Sequence, residues 1–475
     1  MKNPLIARRS FLKQTGQSLL AVPALSLLSQ AGLAEQAPSP KPGKQSASTD
    51  DSRTKLVLSI RDFGATGDGV TKDTAAIQQT IDRCSVFGGG DVLVPAGNYL
   101  TGSIQLKSNV ILRFEEGATI TGSSDDADYP VTQVRWEGKW IQGHIALIYA
   151  IDANHIGIVG PGTIAGYTPP NVQSNSQIKL RRPTLIEPID CNDVHLEGFS
   201  TSYHGMWSLH PTGCENLVVK NLIIRSTGGN GDGIDVDSCR HVVIDGCDIS
   251  TGDDCISLKS GRGSEGYLLH QVTEDVRITN CIFADSIFAC IGIGSETSGG
   301  IRNVHIEHCR FTAAKTFALY IKSRPGRGAF IEDIVASDLE VSGTQGGLIR
   351  FNLLASGKQD EAPVPGIEGI PTVRNFRFSN IHVTDAPILV DGTSVHPDKP
   401  LEGFALTNIT GTCTKGIYLA NVQKAEIRGI NVFGYTGALI NTYNVTGMGL
   451  HGAVPIEAPK VGDPVPVPAQ PYTLH

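Results

Sequence analysis

Short runs in which apolar and polar residues alternate recur along most of the chain. Each run follows an Asn, Asp or His, and its aliphatic residues occupy every second position, which is the period of a β-strand. The runs begin at Val110, Val194, Leu217, Val242, Val276, Val304, Ile334 and Phe376, with weaker copies around Ile156, Phe404 and Ala425. Successive copies lie 21 to 46 residues apart, a spacing typical of a solenoid. The pattern therefore predicts an all-β fold, a single right-handed parallel β-helix in which each coil packs on the next.

One helix and two groups of cysteines complete the predicted core. The segment 74–84 has one apolar helical face, so we expect an N-terminal capping helix whose start is capped by Thr71 or Asp73. The cysteines of two groups fall at equivalent places in successive repeats: Cys191, Cys214 and Cys239, and Cys247, Cys281 and Cys309. Stacked buried thiols and disulfides both remain open, whereas the lack of any CxxC spacing argues against structural zinc.

The chain begins with the features of an export signal. Arg8-Arg9-Ser10-Phe11-Leu12-Lys13 precedes a mildly apolar run from Ser18 to Leu28, and small residues follow up to Ala34. This order is typical of a twin-arginine signal; a membrane anchor, the alternative, needs ~20 strongly apolar residues. We predict an export signal (1–34), a disordered linker (35–54), the β-helix domain (55–455) and a Pro-rich tail (456–475) that packs against or trails from the far end. The expected location is periplasmic or secreted.

Composition limits the possible partners. The 475 residues include 54 glycines, only 18% are charged, and the net charge is −8. Few charges and many glycines favour a turn-rich β protein, and the negative net charge gives no general attraction to nucleic acid or to an anionic membrane. A polyanionic substrate would therefore need a local basic patch. We expect a monomer that uses no cofactor and no metal.

Aligning the coils brings three carboxyl groups together. The aligned column contains Ile234, Ile256, Ile291 and Leu319. This register places Asp232 directly below Asp254, with Asp253 at the same bend, and it puts Lys259 and His204 on one outward strip. Like charges this close raise at least one pKa, and a glycosidase needs one protonated and one ionised carboxyl group. Solvated turn residues are the alternative; a phosphate loop, a calcium loop and a Ser-His-Asp triad each lack required residues.

The residues around these aspartates resemble a known family. Asn230-Gly231-Asp232, the segment from Gly252 to Gly261 and the segment from Ile293 to Gly300 look like the polygalacturonases, glycoside hydrolase family 28, over about residues 58 to 435. The resemblance implies that Asp253 is the general acid and that Asp232 and Asp254 activate the attacking water. It also implies inversion at the anomeric carbon, which is associated with carboxyl groups about 6.5 to 9.5 Å apart.

The sequence departs from the family pattern at three places, the mildest of which is Gly231 in place of the threonine of Asn-Thr-Asp. The family's Gly-His-Gly reads Ile287-Phe288-Ala289, and its Arg-Ile-Lys reads Tyr320-Ile321-Lys322. A phenyl ring near Asp253 would raise the pKa of that acid by desolvation, and Tyr320 offers a stacking face for a sugar. Arg324 and Arg327 are candidates to replace the missing guanidinium. The substrate-binding residues that we expect are Lys322, Tyr320, Asn230, Lys259, Arg324, Phe288 and His204.

These features together predict an enzyme. The resemblance implies an inverting glycoside hydrolase that cleaves α-galacturonide linkages in a pectin-type polysaccharide or oligogalacturonide. A rhamnogalacturonan or other mixed-pectin hydrolase of the same family is the alternative. In different classes, a calcium-using pectate lyase and a non-catalytic polysaccharide-binding β-helix remain open, as does the choice between endo and exo action.

Overall fold

Parallel strands stacked coil on coil form the body of the protein. The computed structural model describes residues 56–166, 180–203, 205–463 and 465–466. These residues form a right-handed parallel β-helix, so the predicted fold class is confirmed. The predicted export signal and linker lie outside the described residues, as does His204.

Three ladders of parallel strands run along the β-helix, and each coil contributes to them in turn. The first ladder contains β1 (Val57–Ser59), β3 (Gly90–Val94), β6 (Val110–Phe114), β11 (Asn154–Val159), β14 (Asn192–Glu197), β16 (Glu215–Lys220), β19 (Arg240–Asp245), β22 (Thr273–Thr279), β25 (Ile301–Glu307), β28 (Phe330–Val341), β30 (Thr372–Ser394) and β31 (Leu401–Phe433). The second contains β2 (Asp68–Lys72), β4 (Gly97–Thr101), β7 (Ala118–Gly122), β12 (Thr163–Ala165), β15 (Ser200–Tyr203), β17 (Ile223–Ser226), β20 (Asp248–Thr251), β23 (Ile282–Ser286) and β26 (Arg310–Phe311). The third contains β5 (Ile104–Gln105), β10 (Ile148–Ile151), β13 (Ile186–Ile189), β18 (Ile234–Asp237), β21 (Ile256–Lys259), β24 (Ile291–Ile293), β27 (Phe317–Lys322), β29 (Gly347–Asn352), β32 (Ile440–Met448) and β33 (Val454–Pro455). An antiparallel hairpin of β8 (Val131–Trp136) and β9 (Lys139–His144) stands outside these ladders.

The backbone explains why Asn, Asp or His opens each repeat. These residues sit at a corner of the coil with a positive φ, for example 57° at Asp193, 55° at His241 and 54° at Asn303. Short polar side chains tolerate this left-handed conformation far better than branched ones do. The apolar residues that follow, such as Val304 and Ile306, point inward and are fully buried. The sequence motif is therefore one corner followed by one core-facing strand.

A helix covers the N-terminal end of the β-helix, as predicted. This helix, α1 (Thr74–Val86), buries Ile77 and Ile81, and Asp73 occupies its N-cap position. The expectation that the Asp73 side chain caps α1 is wrong, because its carboxylate instead accepts hydrogen bonds from Thr66 N (2.7 Å) and Gly67 N (3.0 Å). The carboxylate therefore fixes the preceding loop.

The remaining helical segments are short. They are α2 (Gly263–Leu269) and three 3₁₀ turns at Ile60–Phe63, Asp126–Asp128 and Gly366–Gly369. Across residues 56–166, 180–203, 205–463 and 465–466, no helix has the length and apolarity needed to cross a bilayer.

The cysteines of the two predicted columns are buried thiols that are not joined as disulfides. In the first column, Cys214 N donates to Cys239 Sγ at 3.3 Å. In the second, Cys281 and Cys309 lie against the backbone of their own coils, with Sγ 3.2 Å from Thr279 O and 3.3 Å from Glu307 O. Of the two readings left open by the sequence, the structure supports the stacked thiols.

The C-terminal tail runs back along the β-helix. Gly366 N donates to Val465 O at 3.1 Å, so the tail reaches a loop that precedes β30 and does not simply end at the last coil. That the tail packs against or trails from the far end stays a prediction.

Candidate active site

Two successive coils bring the three predicted carboxylates together. Asp232 immediately precedes the strand segment β18, and Asp253 and Asp254 precede β21; the two strands pair in register, with Ile234 opposite Ile256. Oxygen atoms of the three aspartates all lie within 4.8 Å of one another. The sequence alignment therefore predicted this convergence correctly.

Glycine lets the two turns stack this closely. Gly252 N donates to Gly231 O at 3.1 Å, and a Cβ on Gly252 would overlap the carbonyl oxygen of Gly228. Any side chain at this place would force the two turns, and the aspartates that follow them, apart. Within the Gly-rich sequence at 228–233, Gly233 has the same role, because a Cβ there would lie 2.4 Å from the carbonyl oxygen of Cys255 on the next coil.

The surroundings of the three aspartates differ. Asp232 is 4% exposed and Asp254 is 2% exposed, whereas Asp253 is half-buried at the bend. The hydroxyls of Thr251 and Ser286 donate to the carbonyl oxygen of Asp253 at 2.7 and 2.8 Å. These bonds fix the backbone from which the Asp253 carboxyl group reaches the site.

A buried lysine neutralises one carboxylate. Lys322 Nζ donates to Asp254 Oδ2 and forms an ion pair with it. The Nζ atom also lies 4.9 Å from the ring centroid of Phe288 and 5.7 Å from that of Tyr320. Gly292, on the coil between them, leaves room for this ion pair. Lys322 was expected to bind a substrate carboxylate, but in the structure its primary partner is Asp254.

The other two carboxyl groups have raised pKa values, which favour their protonated forms. Burial raises the pKa of Asp232 well above its usual value, and the neighbouring charges of Asp235 and Asp253 add to this. Burial, followed by the charge of Asp254, also raises the pKa of Asp253, although Lys322 opposes the effect. Acid and base catalysis require one protonated and one ionised carboxyl group. The raised pKa of Asp253 and the ion pair of Asp254 with Lys322 provide this difference.

The outward strip of the third ladder is covered where β18 and β21 continue beyond these aspartates. Asp235 and Lys259 are buried, and Lys259 Nζ contacts Asp235 Oδ1 at 2.6 Å and Glu296 Oε1 at 3.9 Å. Burial raises the pKa of Asp235 to about 7. Lys259, expected to bind substrate, lies in this buried cluster and not on the groove surface.

The hairpin of β8 and β9 provides the cover. Arg135 Nε lies 3.0 Å from Asp237 Oδ2, and both side chains are buried. The indole of Trp136 stacks on that of Trp207 with 5.0 Å between the ring centroids, and Lys259 Nζ lies 3.8 Å from the Trp207 ring. The hairpin therefore packs over the strip, and because Trp207 lies one coil before Asp232, it also covers the N-terminal side of the acidic site.

Charged residues hold the tip of the hairpin in place. Glu137 contacts Arg262 (3.0 Å) and Lys358 (2.8 Å), and Asp360 contacts Arg262 (2.9 Å) and Arg327. We call these five residues the tip cluster. Arg327 is fully buried and committed to Asp360, so the expectation that Arg327 replaces the missing guanidinium is wrong.

Aromatic residues line the C-terminal side. Phe288 lies one coil after Asp253 in the same column, because β21 and β24 pair with Ile256 opposite Ile291. Its ring stacks on that of Tyr320, with 5.6 Å between the ring centroids. The predicted placement of Phe288 is confirmed. Arg324, the other candidate guanidinium, donates from Nη1 to Gly357 O at 2.7 Å.

Two arginines near the site were missed at the sequence level. Arg182 Nη2 lies 3.4 Å from Asn230 Oδ1, which places a cation beside one expected substrate-binding residue. Arg350 follows Tyr320 in the same column, one coil further on. Extending the alignment by one coil would have found Arg350, whereas no repeat signal points to Arg182.

The arrangement suits hydrolysis with an activated water molecule. Carboxylate oxygens within 4.8 Å of one another can both accept hydrogen bonds from one water, since each such bond spans about 2.5 to 3.0 Å. The 4.8 Å limit applies to one oxygen atom of each carboxyl group, so the separation of about 6.5 to 9.5 Å between carboxyl groups expected for an inverting enzyme stays a prediction. The same three oxygens could also hold a divalent cation.

Comparisons with known proteins agree with this chemistry. A probable polygalacturonase of Vitis vinifera is 28% identical over 368 residues, covering 74% of this chain and 73% of the relative. An exo-poly-alpha-D-galacturonosidase of Dickeya chrysanthemi is 28% identical, covering 59% of this chain and 54% of the relative. The hyperthermoactive exopolygalacturonase of Thermotoga maritima superposes with a TM-score of 0.68 at 26% identity, covering 79% of this chain and 92% of that chain. The model of the family "Glycosyl hydrolases family 28" matches residues 84–384. The chain therefore belongs to glycosyl hydrolases family 28 and is a glycoside hydrolase.

Proposed function

We propose that the protein hydrolyses α-galacturonide linkages in pectin-type polysaccharide or oligogalacturonide. The observation that carries this proposal is the convergence of Asp232, Asp253 and Asp254 within 4.8 Å, beside the cation Lys322. The polygalacturonase names of the Vitis and Thermotoga relatives support the choice of substrate.

The proposed reaction is a single displacement with inversion. Asp253 gives its proton to the glycosidic oxygen as the bond from that oxygen to the anomeric carbon breaks. Asp254, the carboxylate paired with Lys322, accepts a proton from the water whose oxygen bonds to the anomeric carbon, and Asp232 helps to position that water. One carboxyl group has then lost a proton and another has gained one, and exchange with solvent restores the starting state.

We further propose that the enzyme acts at chain ends. The hairpin, fixed through Arg135 and the tip cluster, covers the N-terminal side of the acidic site, whereas the C-terminal side leads to the partly exposed Arg350. A groove closed on one side accepts a terminus and not the middle of a polymer. The exo-acting relatives from Dickeya and Thermotoga support this choice.

The aromatic face favours one second candidate. Phe288 and Tyr320 stack on each other where the family pattern has a histidine and an arginine. An apolar face of this kind suits a less acidic sugar, so hydrolysis of rhamnogalacturonan or another mixed pectin is the alternative.

Product analysis tests these proposals together. The protein is incubated separately with polygalacturonate and with rhamnogalacturonan, and the products are sized over time. Polygalacturonate hydrolysis predicts new reducing ends, monomer or dimer from the first time points, and no absorbance from unsaturated uronides. Calcium-dependent formation of that absorbance would show that the protein is a lyase and not a hydrolase. Products of many lengths at the first time points would show endo and not exo action. Proton NMR of the first product reports whether the anomeric configuration is inverted.

We propose export by the twin-arginine pathway to the periplasm or outside the cell. The support is the order of Arg8-Arg9, apolar run and small residues at the N-terminus. Replacing both arginines by lysine should keep the protein inside the cell, and export of that variant would refute the proposal.

A further inference from the structure

Arg350 lies on the open side of the acidic site, directly after Tyr320 in the coil-to-coil register. β27 pairs with β29 so that Tyr320 lies opposite Arg350 and Lys322 lies opposite Asn352. The guanidinium carbon of Arg350 is 5.4 Å from the centroid of the Tyr320 ring and 5.5 Å from that of Phe317. Two aromatic rings therefore fix the guanidinium group within the distance at which a cation is attracted to an aromatic face.

Three other cations near the site are already committed. Lys322 is bound to Asp254 and its side chain is only 10% exposed, Lys259 is buried against Asp235, and Arg327 is buried against Asp360. Each of these charges balances a buried carboxylate, and withdrawing it would leave that carboxylate uncompensated. These three cations are therefore paired with carboxylates of the protein and not with a substrate carboxylate.

Arg350 is held much more loosely. Its side chain is 35% exposed, and Nε, which is buried, makes no hydrogen bond and lies 3.6 Å from Asp391 Oδ2, so the exposed part of the side chain is the terminal NH2 groups' side of the guanidinium. A guanidinium group has five N–H donors in a planar fork that matches a carboxylate. Arg350 thus combines a fixed plane, access to solvent and unused donors.

We propose that Arg350 binds a carboxylate of the acidic polymer on the open side of the groove, with Tyr320 supporting the guanidinium plane. This inference rests on the proposed function and extends it, because it assigns the guanidinium that the sequence lacks at position 320 to the next coil. Arg350 lies three coils beyond Asp254, about 14 Å along the axis at ~4.8 Å per coil. It therefore contacts a part of the substrate away from the bond that breaks, and it acts on binding more than on chemistry.

Kinetics of four variants on polygalacturonate test this role. Arg350→Gln should raise KM about tenfold or more and leave kcat within about threefold of wild type, since a hydrogen bond to a charged group contributes that much to binding. Arg350→Lys should recover part of the loss, because it keeps the charge without the planar fork. Arg377→Gln is the matched control, because Arg377 is an exposed arginine on β30 in the first ladder and away from the groove.

Asp391→Asn separates ligand binding from a structural role. This change removes the ion-pair partner of Arg350 and keeps the guanidinium group. If Arg350 binds substrate, Asp391→Asn should leave KM unchanged or lower it. An equal rise in KM in Asp391→Asn and Arg350→Gln would overturn the proposal, and so would an unchanged KM in Arg350→Gln.

A binding measurement distinguishes failure of this inference from failure of the proposed function. Calorimetry with a purified oligogalacturonate is performed on Asp253→Asn, with and without Arg350→Gln. Affinity that falls about tenfold in the double variant supports the Arg350 site, and equal affinities refute it. Absence of turnover by the wild type on every pectic substrate would refute the proposed function, while this binding comparison would still test Arg350.

Discussion

Gly292 offers a sharp test of how the acidic site is packed. A Cβ at this position would lie 2.5 Å from Asp254 Oδ2 and 2.8 Å from Lys322 Nζ. Non-bonded atoms normally approach to about 3.5 to 4.0 Å, so Gly292→Ala must push the ion pair away by about 1 Å. The pair is buried and lies beside the rings of Phe288 and Tyr320, which limits how far Lys322 can withdraw.

We expect Gly292→Ala to lower kcat by about 10²-fold. A catalytic group displaced by about 1 Å loses roughly this much rate, which corresponds to about 2.7 kcal/mol of transition-state stabilisation. Release of reducing ends at saturating polygalacturonate measures kcat, and circular dichroism during heating checks that the variant is folded at the assay temperature.

Gly229→Ala is the matched control. Gly229 lies in the turn that leads to Asp232, and a Cβ there would meet nothing within 4 Å, so this variant should keep the wild-type kcat. If Gly292→Ala is folded and its kcat stays within twofold of wild type, the close packing of Asp254 and Lys322 is not needed for catalysis and the reasoning fails.

Three further predictions concern acid catalysis and metal dependence. Asp253→Asn should lower kcat by at least about 10² with KM changed only a few-fold, because proton donation acts in the transition state; steady-state kinetics that showed a rise in KM alone would contradict this. Burial raises the pKa of Asp253, and an acid loses activity as pH rises through its pKa, so Phe288→Ala should rehydrate the group and move the alkaline limb of kcat/KM to lower pH by about half a unit to one unit. An unchanged limb would show that Phe288 does not desolvate Asp253. Dialysis against EDTA should leave the rate of reducing-end release unchanged, and a loss that calcium restores would support the lyase.

The repeats made the register of the coils predictable. Each repeat marks one corner and one core strand, so aligning Ile234 with Ile256 was sufficient to bring Asp232 to Asp254. The side chains that cross several coils could not be placed in this way. Lys322 reaches Asp254 across 68 positions because Gly292 leaves the space between them, and a register does not report how far a side chain reaches.

The closing hairpin was missed because it lies outside the repeat. Glu137 and Gly138 join its two strands. They have φ values of 43° and 77°, as in a two-residue turn of type I′. Gly138 is the local signal that could have identified the turn. The contacts of the hairpin with Trp207 and Asp237 depend on packing between distant coils, which no local pattern encodes.

The two columns of stacked cysteines constrain the order in which this chain can mature. Six thiols allow on the order of 15 complete sets of disulfides, and any such bond formed in the loose chain would hold coils in a wrong alignment. Once the coils close, all six sulfurs are out of reach of oxidants. Folding under reducing conditions would protect these thiols, and the twin-arginine export that we propose, which carries folded proteins, is compatible with that order.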